Sequence, residues 1–291
     1  MEVKMSYSLI FKDGAFLLSN VEHFSPELIF DCGQCFRFDK ISKNTFAGVA
    51  FSRYVSVEDL GGGVFRITGF KKEESAALRE FFCLDEDYDA ICQDILDSME
   101  KHGLSTDIMK KAMEVGRGIR ILHQDPFECI CSFIISQNNN IPRIKKIIDR
   151  LCRELGESFE QDGGIYYAFP DGQSIEKAGL EVLSGCGTGF RNKYLLSAAE
   201  IMRPDRISRL CELGDKDLEA ALMQVKGIGP KVSSCIALFG FGRASFFPID
   251  VWMRKVLDKY YPEVTSGEVF GKYAGIAQQY LFYFERYTQS T

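Results

Sequence analysis

The sequence predicts an α+β protein, an amino-terminal antiparallel β-sheet domain followed by an all-helical part built around a helix-hairpin-helix. Three observations carry that expectation. From residue 6 to about residue 70, β-branched or aromatic residues alternate with polar ones; after Ser75 the apolar period becomes helical; and residues 217–242 hold two helical stripes parted by a glycine turn. With 291 residues, 46% hydrophobic and 26% charged, the chain is of globular composition and long enough for two or three packed units. We expect a sheet domain with some helices over 1–115. A helical part over 116–291 follows, with subdomains at about 127–200 and 201–291.

The sheet is read from runs such as FAGVAFSRYVSVED and GVFRITGF, with turns at Asp13-Gly14 and Gly61-Gly62-Gly63. Caps announce the helices that follow. Asp125-Pro126 supplies an N-cap and a first-turn proline ahead of the stripe Phe127, Ile130, Cys131 and Ile134. Ile141, Ile144, Ile148 and Leu151 form a second stripe, and the polar turn Gln137-Asn138-Asn139-Asn140 lies between the two.

A net charge of −6 sits poorly with nucleic-acid binding, which relies on Lys and Arg. The imbalance is local, however: residues 1–110 carry −7 and residues 111–291 carry +1. Much of the acid lies in LDEDYDAICQDILDSME, residues 84–100, which reads as a solvated helix face. The second part thus remains open to a DNA-facing surface. Ten cysteines scattered among apolar residues, with no secretory signal ahead of them, read as reduced thiols of an intracellular protein. The expected location is the cytoplasm with the nucleoid in a prokaryote, or the nucleus in a eukaryote. No apolar run is long enough for a membrane span, so no membrane partner is expected. Cys32-x-x-Cys35 has no second pair, and His23, His102 and His123 lack ligand spacing, so no metal site is expected.

The most informative segment is DLEAALMQVKGIGPKVSSCIALFGFG. Leu218, Ala221, Leu222 and Val225 make one stripe; Val232, Cys235, Ile236 and Phe239 repeat the spacing beyond Lys226-Gly227-Ile228-Gly229. The glycines permit a tight reversal and bring backbone amides to the surface, where the opening of the second helix can hold a phosphate. Such a hairpin, placed at 217–240, grips DNA backbone without reading sequence, although plain helical hairpins share the turn. Lys231 opens the second helix, where the helix dipole and nearby apolar surface disfavour an ammonium ion and favour a nucleophilic amine. Asp250, after Pro248 in FFPIDVWMRKVL, caps the next helix and is placed to steady positive charge on a sugar. Taken singly, Lys231 reads equally as a phosphate contact and Asp250 as an ordinary cap.

Together, VKGIGPK, the following Gly-Phe-Gly and Pro248-Ile249-Asp250 resemble the helix-hairpin-helix, Gly/Pro-rich, Asp superfamily of DNA glycosylases. CICSFIISQNNNIPRI, LSGCGTGFRNKYL, YAGIAQQYLF and DCGQCFRF narrow the likeness to the 8-oxoguanine DNA glycosylases, over nearly the whole chain. The resemblance implies a bifunctional glycosylase and AP lyase of base excision repair. Lys231 would attack the sugar to give a Schiff base, Asp250 would stabilise the oxocarbenium-like state, and β-elimination would follow. Gly33 would aim its carbonyl at the N7–H that oxidation creates. Gln278 would read the Watson–Crick edge, Phe282 would stack, and Cys235 would face the other side of the base. Asn138, Arg143 and Arg191 match positions that hold the widowed cytosine, and Phe190 matches the wedge.

Three departures from animal members stand out: Phe190 for a tyrosine, Trp252 for a histidine, and Arg286-Tyr287 one place out of step with a second cytosine-contacting arginine. The implied partner is double-stranded DNA containing 8-oxoguanine, bound by a monomer without a required cofactor; a cation on the hairpin carbonyls fits the motif. No cysteine follows Cys235, so no iron–sulfur cluster is expected. Two other readings stay open, a glycosylase of this superfamily for another damaged base and a non-catalytic DNA-binding module.

Overall fold

The computed structural model describes residues 7–288, with side chains through residue 286. Its sheet has six antiparallel strands in the order β1-β2-β6-β5-β4-β3: β1 Ser8–Lys12, β2 Ala15–Ser19, β3 Phe38–Lys40, β4 Thr45–Ala50, β5 Arg53–Gly61 and β6 Val64–Thr68. The register pairs Phe16 with Ile67 and Val57 with both Phe46 and Ile67, so alternate residues stack apolar rings and branches on one face. A short helix, α1 (Pro26–Phe30), interrupts the strands. Ser25 caps it and Pro26 opens it, a local signal that the alternating pattern masked. α2 (Ser75–Phe81) closes over the sheet, and Phe30, Phe38, Phe81 and Phe82 make its aromatic core.

Twelve helices follow α1 in chain order. After α2 come α3 (Tyr88–Lys101), α4 (Asp107–Val115), α5 (Pro126–Ser136), α6 (Ile141–Leu155), α7 (Gly172–Gly185), α8 (Asn192–Ile201), α9 (Pro204–Cys211), α10 (Asp215–Leu222), α11 (Pro230–Gly240), α12 (Val251–Tyr260) and α13 (Ala274–Thr288). The Asp125 cap read from sequence is made, its carboxylate accepting from Glu128 N at 2.8 Å, and the structure adds a second at the end of the polar turn, where Asn140 Oδ1 accepts from Arg143 N at 3.0 Å. Ile91, Ile95 and Met99 of α3 and Met109 of α4 belong to the helical core, whereas Leu122, beyond α4, packs with the sheet.

The helical part is not wholly helical. β7 (Ser158–Gln161) and β8 (Gly164–Tyr167) form an antiparallel hairpin, turning at Asp162-Gly163. An Asp-Gly turn is a strong hairpin signal, but here it sits between two long helices whose period dominates. Tyr166 stacks on Tyr54 of β5 at 4.1 Å, and Gln161 hydrogen-bonds the Tyr54 backbone, so the hairpin ties the helical part to the sheet.

Candidate active site

The loop after α1 meets α11, the start of α12 and α13 around a cleft of about 60 Å³. Gly33, Lys231, Cys235, Asp250, Gln278 and Phe282, drawn from four separate stretches of sequence, all line it. Larger clefts, of about 200, 530 and 630 Å³, lie elsewhere and are lined by none of the candidate site residues.

Local chemistry explains each placement. Lys231 follows Gly229 and Pro230 in the opening turn of α11; Pro230 has no N–H to lose there, and Gly229 brings no capping side chain. Asp250 is the N-cap of α12, its carboxylate accepting from Met253 N at 2.7 Å, which fixes it at the cleft. Cys235 lies one helical turn beyond Lys231, on the same face. Burial pushes its thiol pKa up; the Lys231 ammonium pulls it down and the Asp250 carboxylate raises it, so all three groups are close neighbours.

Gly33 has φ +81°, a left-handed conformation that favours glycine, and a Cβ there would touch Ile141 and the Phe282 ring, each at 4.0 Å. Its neighbour Gln34 is buried and riveted on both ends of its amide. Gln34 Nε2 donates to Ile29 O (2.9 Å) and Arg120 O (2.7 Å), and its Oε1 accepts from Leu122 N (2.8 Å). The backbone next to Gly33 is anchored as well, since Gln124 Nε2 donates to Gln34 O at 2.8 Å. Gln278 and Phe282 sit four apart on α13, as their spacing implied, and the Arg286 guanidinium lies 5.7 Å from the Phe282 ring centre.

A second cluster gathers where α5 turns into α6. Asn138 has φ +48°, which asparagine tolerates better than most residues. Arg143 is exposed, and Phe190 presents its ring to solvent at 54% exposure. Arg191, unlike Arg143, is buried. Its guanidinium donates to Gln137 O through Nε (3.0 Å) and Nη2, to Asn138 O at 3.1 Å and to Thr188 O at 3.2 Å, and it packs 4.4 Å from the Phe190 ring. Burial and nearby Arg143 lower its pKa.

The hairpin between α10 and α11 is built as its glycines suggested, with one difference. Gly227 has φ +88° and lies so close to Tyr194 that any Cβ would enter that ring. The Ile228 side chain is buried and its N–H donates to Val225 O at 3.1 Å, while Lys226 N donates to Ser197 Oγ at 3.2 Å. These two amides are engaged within the protein and not bare as the sequence reading had them.

Sequence signals for other buried polar residues were weaker. Gln279, beside Gln278, also lines the cleft, and nothing in the sequence separated it from a surface residue. Gln34 lay within the DCGQCFRF element, but two of the partners of its amide are 86 and 88 residues away.

Residues 16–130 match the amino-terminal domain of 8-oxoguanine DNA glycosylases, and residues 131–267 match the HhH-GPD superfamily of base excision DNA repair proteins. An N-glycosylase/DNA lyase of Arabidopsis thaliana is 30% identical over 300 residues, covering 91% of this chain and 78% of the plant protein. The chain belongs to the 8-oxoguanine DNA glycosylase family. An 8-oxoguanine glycosylase/lyase of Clostridium acetobutylicum, solved with double-stranded DNA bearing cytosine opposite the lesion, superposes on the glycosylase with a TM-score of 0.89 at 34% identity, covering 98% of this chain and all of that one. A 3-methyladenine DNA-glycosylase from Archaeoglobus fulgidus shares the fold at 21% identity, with a TM-score of 0.68. Among the described residues no helix is long and apolar enough to cross a membrane, and all ten cysteines are free thiols.

Proposed function

We propose that this glycosylase excises 8-oxoguanine from duplex DNA and then cuts the strand, with Lys231 as nucleophile. The observation that carries the reading is the meeting of Gly33, Lys231, Cys235, Asp250, Gln278 and Phe282 in one cleft. Eversion of the nucleotide costs roughly a few kcal/mol; the exposed ring of Phe190 fills the gap left in the stack. As the bond from C1′ to the base breaks, the electron pair leaves with the base and positive charge grows on the sugar. The Asp250 carboxylate opposes that charge. The unprotonated amine of Lys231 bonds to C1′, ring opening gives a Schiff base, and loss of a C2′ proton expels the 3′ phosphate by β-elimination. A lysine and a carboxylate suffice for these steps without a cofactor; a cation on the hairpin carbonyls would serve phosphate binding only.

Selection of the lesion rests on the Gly33 carbonyl, an acceptor for the N7–H of the oxidised base where normal guanine carries a lone pair. A mismatch of buried polar groups costs about 1–3 kcal/mol. The stiff support under Gly33, four hydrogen bonds to Gln34, is what makes that mismatch costly to relax. Opposite the lesion, exposed Arg143 and Asn138 are the contacts for cytosine, with Arg191 holding the Asn138 turn from beneath. The Lys226 side chain and the Gly227 and Gly229 amides grip the backbone of the strand, with buried Ile228 holding the turn in shape.

The test is single-turnover excision from duplexes carrying 8-oxoguanine opposite each normal base in turn, and from one carrying 3-methyladenine, with borohydride present to trap the Schiff base. Excision with a covalent adduct is expected. Binding without release of any base would leave only a DNA-binding module, and release of an alkylated base in preference would move the substrate to another branch.

A further inference from the structure

The cleft holds a second buried amide that the steps above leave unused. Gln278 and Gln279 follow one another on α13, both line the cleft, and they are 5% and 4% exposed. Gln279 Nε2 donates to Gln278 Oε1 at 2.8 Å, which fixes one amide against the other. The oxygen of Gln279 is left over: Oε1 is buried and has no hydrogen-bond partner. A dry acceptor without a donor is disfavoured in a folded protein, and an apolar residue would fill the same wall at no such cost. A polar atom kept in that state beside a ligand cleft points to a donor carried in by the ligand.

We propose that Gln279 is a second reader of the everted base, its Oε1 accepting an N–H from the exocyclic amino group of a guanine-type edge. That edge sets a ring N–H and an amino group side by side, two donors for two neighbouring amides. An adenine-type edge offers a ring lone pair where the ring N–H stands, and a hypoxanthine-type edge lacks the amino group. The proposal rests on the base-excision reading and deepens it, assigning the choice of 2-aminopurine over other oxidised purines to a residue distinct from Gln278.

The test compares single-turnover excision of 8-oxoguanine and of 8-oxohypoxanthine, each opposite cytosine, by the full-length protein and by Gln279→Met. The two bases are alike at N7 and C8 and differ only in the amino group. Wild-type protein is expected to favour 8-oxoguanine roughly tenfold, the usual worth of one buried hydrogen bond. In Gln279→Met that preference should fall to about twofold or less, through a loss confined mainly to 8-oxoguanine. Gln279→Asn, which keeps an amide but withdraws it by one methylene, should show the same narrowing and guards against a misfolded first variant. An unchanged preference in both variants, or equal losses on both bases, overturns the proposal. So does a wild-type protein that cuts both bases at equal rates. Wild-type protein that releases neither base defeats the base-excision reading, and this proposal with it.

Discussion

The cleft and the α5–α6 turn both carry residues singled out from sequence, yet they are built in opposite ways. In the cleft, Asp250, Gly33 and Gln278 are held by caps, rivets and a neighbouring amide, and much of the wall is buried. At the turn, Phe190 and Arg143 stand in solvent, and a single guanidinium, Arg191, secures the backbone beneath them. The contrast is that of a gauge and a probe. Telling one base from another by a single hydrogen requires walls that do not yield, whereas a group that enters a base stack must travel.

Breaking that contrast at its centre should give the largest effect. Lys231→Gln is expected to abolish the borohydride adduct altogether while gel-shift binding to lesion duplex survives. An adduct that persists would remove Lys231 from the role of nucleophile. Asp250→Asn comes next, with excision expected to fall about 10²–10³-fold. Its melting temperature should stay near wild type, because asparagine caps a helix about as well as aspartate; a large drop in melting temperature would make Asp250 a structural residue first.

Gly33→Ala and Arg191→Ala sharpen the comparison by failing differently. Alanine at φ +81° costs about 1–2 kcal/mol, and we expect selectivity for 8-oxoguanine over guanine to fall roughly tenfold with opposite-base preference intact. Arg191→Ala frees the Gln137 and Asn138 carbonyls, and opposite-base preference should narrow while lesion selectivity stays. The reverse pattern in either variant would merge the two regions into one. Phe190→Ala is the mildest for stability, within about 0.5 kcal/mol for so exposed a ring, and should slow excision severalfold; unfolding measurements and single-turnover rates together check it.

How much of this was legible in the sequence follows from the range of each interaction. Caps act over three residues, so Asp125 and Asp250 could be read directly and stand at their helix starts, while the Asn140 cap lay unread within a run of polar turn residues. The β7–β8 hairpin had its Asp-Gly signal, but its anchor is Tyr54, more than a hundred residues away, and the surrounding helical period concealed it. At the cleft, Lys231 and Asp250 were visible because each sits beside a chain-breaking proline or glycine. Gln34 and Gln279 were not, since a glutamine becomes a buried rivet or an unpaired acceptor only through its spatial neighbours. The burial of Arg191 was out of reach for a related reason: arginines lie mostly at the surface, and only the converging carbonyls of Gln137, Asn138 and Thr188 draw this one inward.

Trp252 is the single tryptophan of the chain, 51% exposed, two positions past Asp250, with Lys255 Nζ 5.2 Å from its ring centre. The enzyme thus carries an intrinsic fluorophore two residues along the chain from Asp250. On the proposed reading, a strand bound at the cleft passes close to the indole, shields it from solvent and alters its emission. Docking can then be timed in stopped flow on unlabelled protein, independently of the later release of the base.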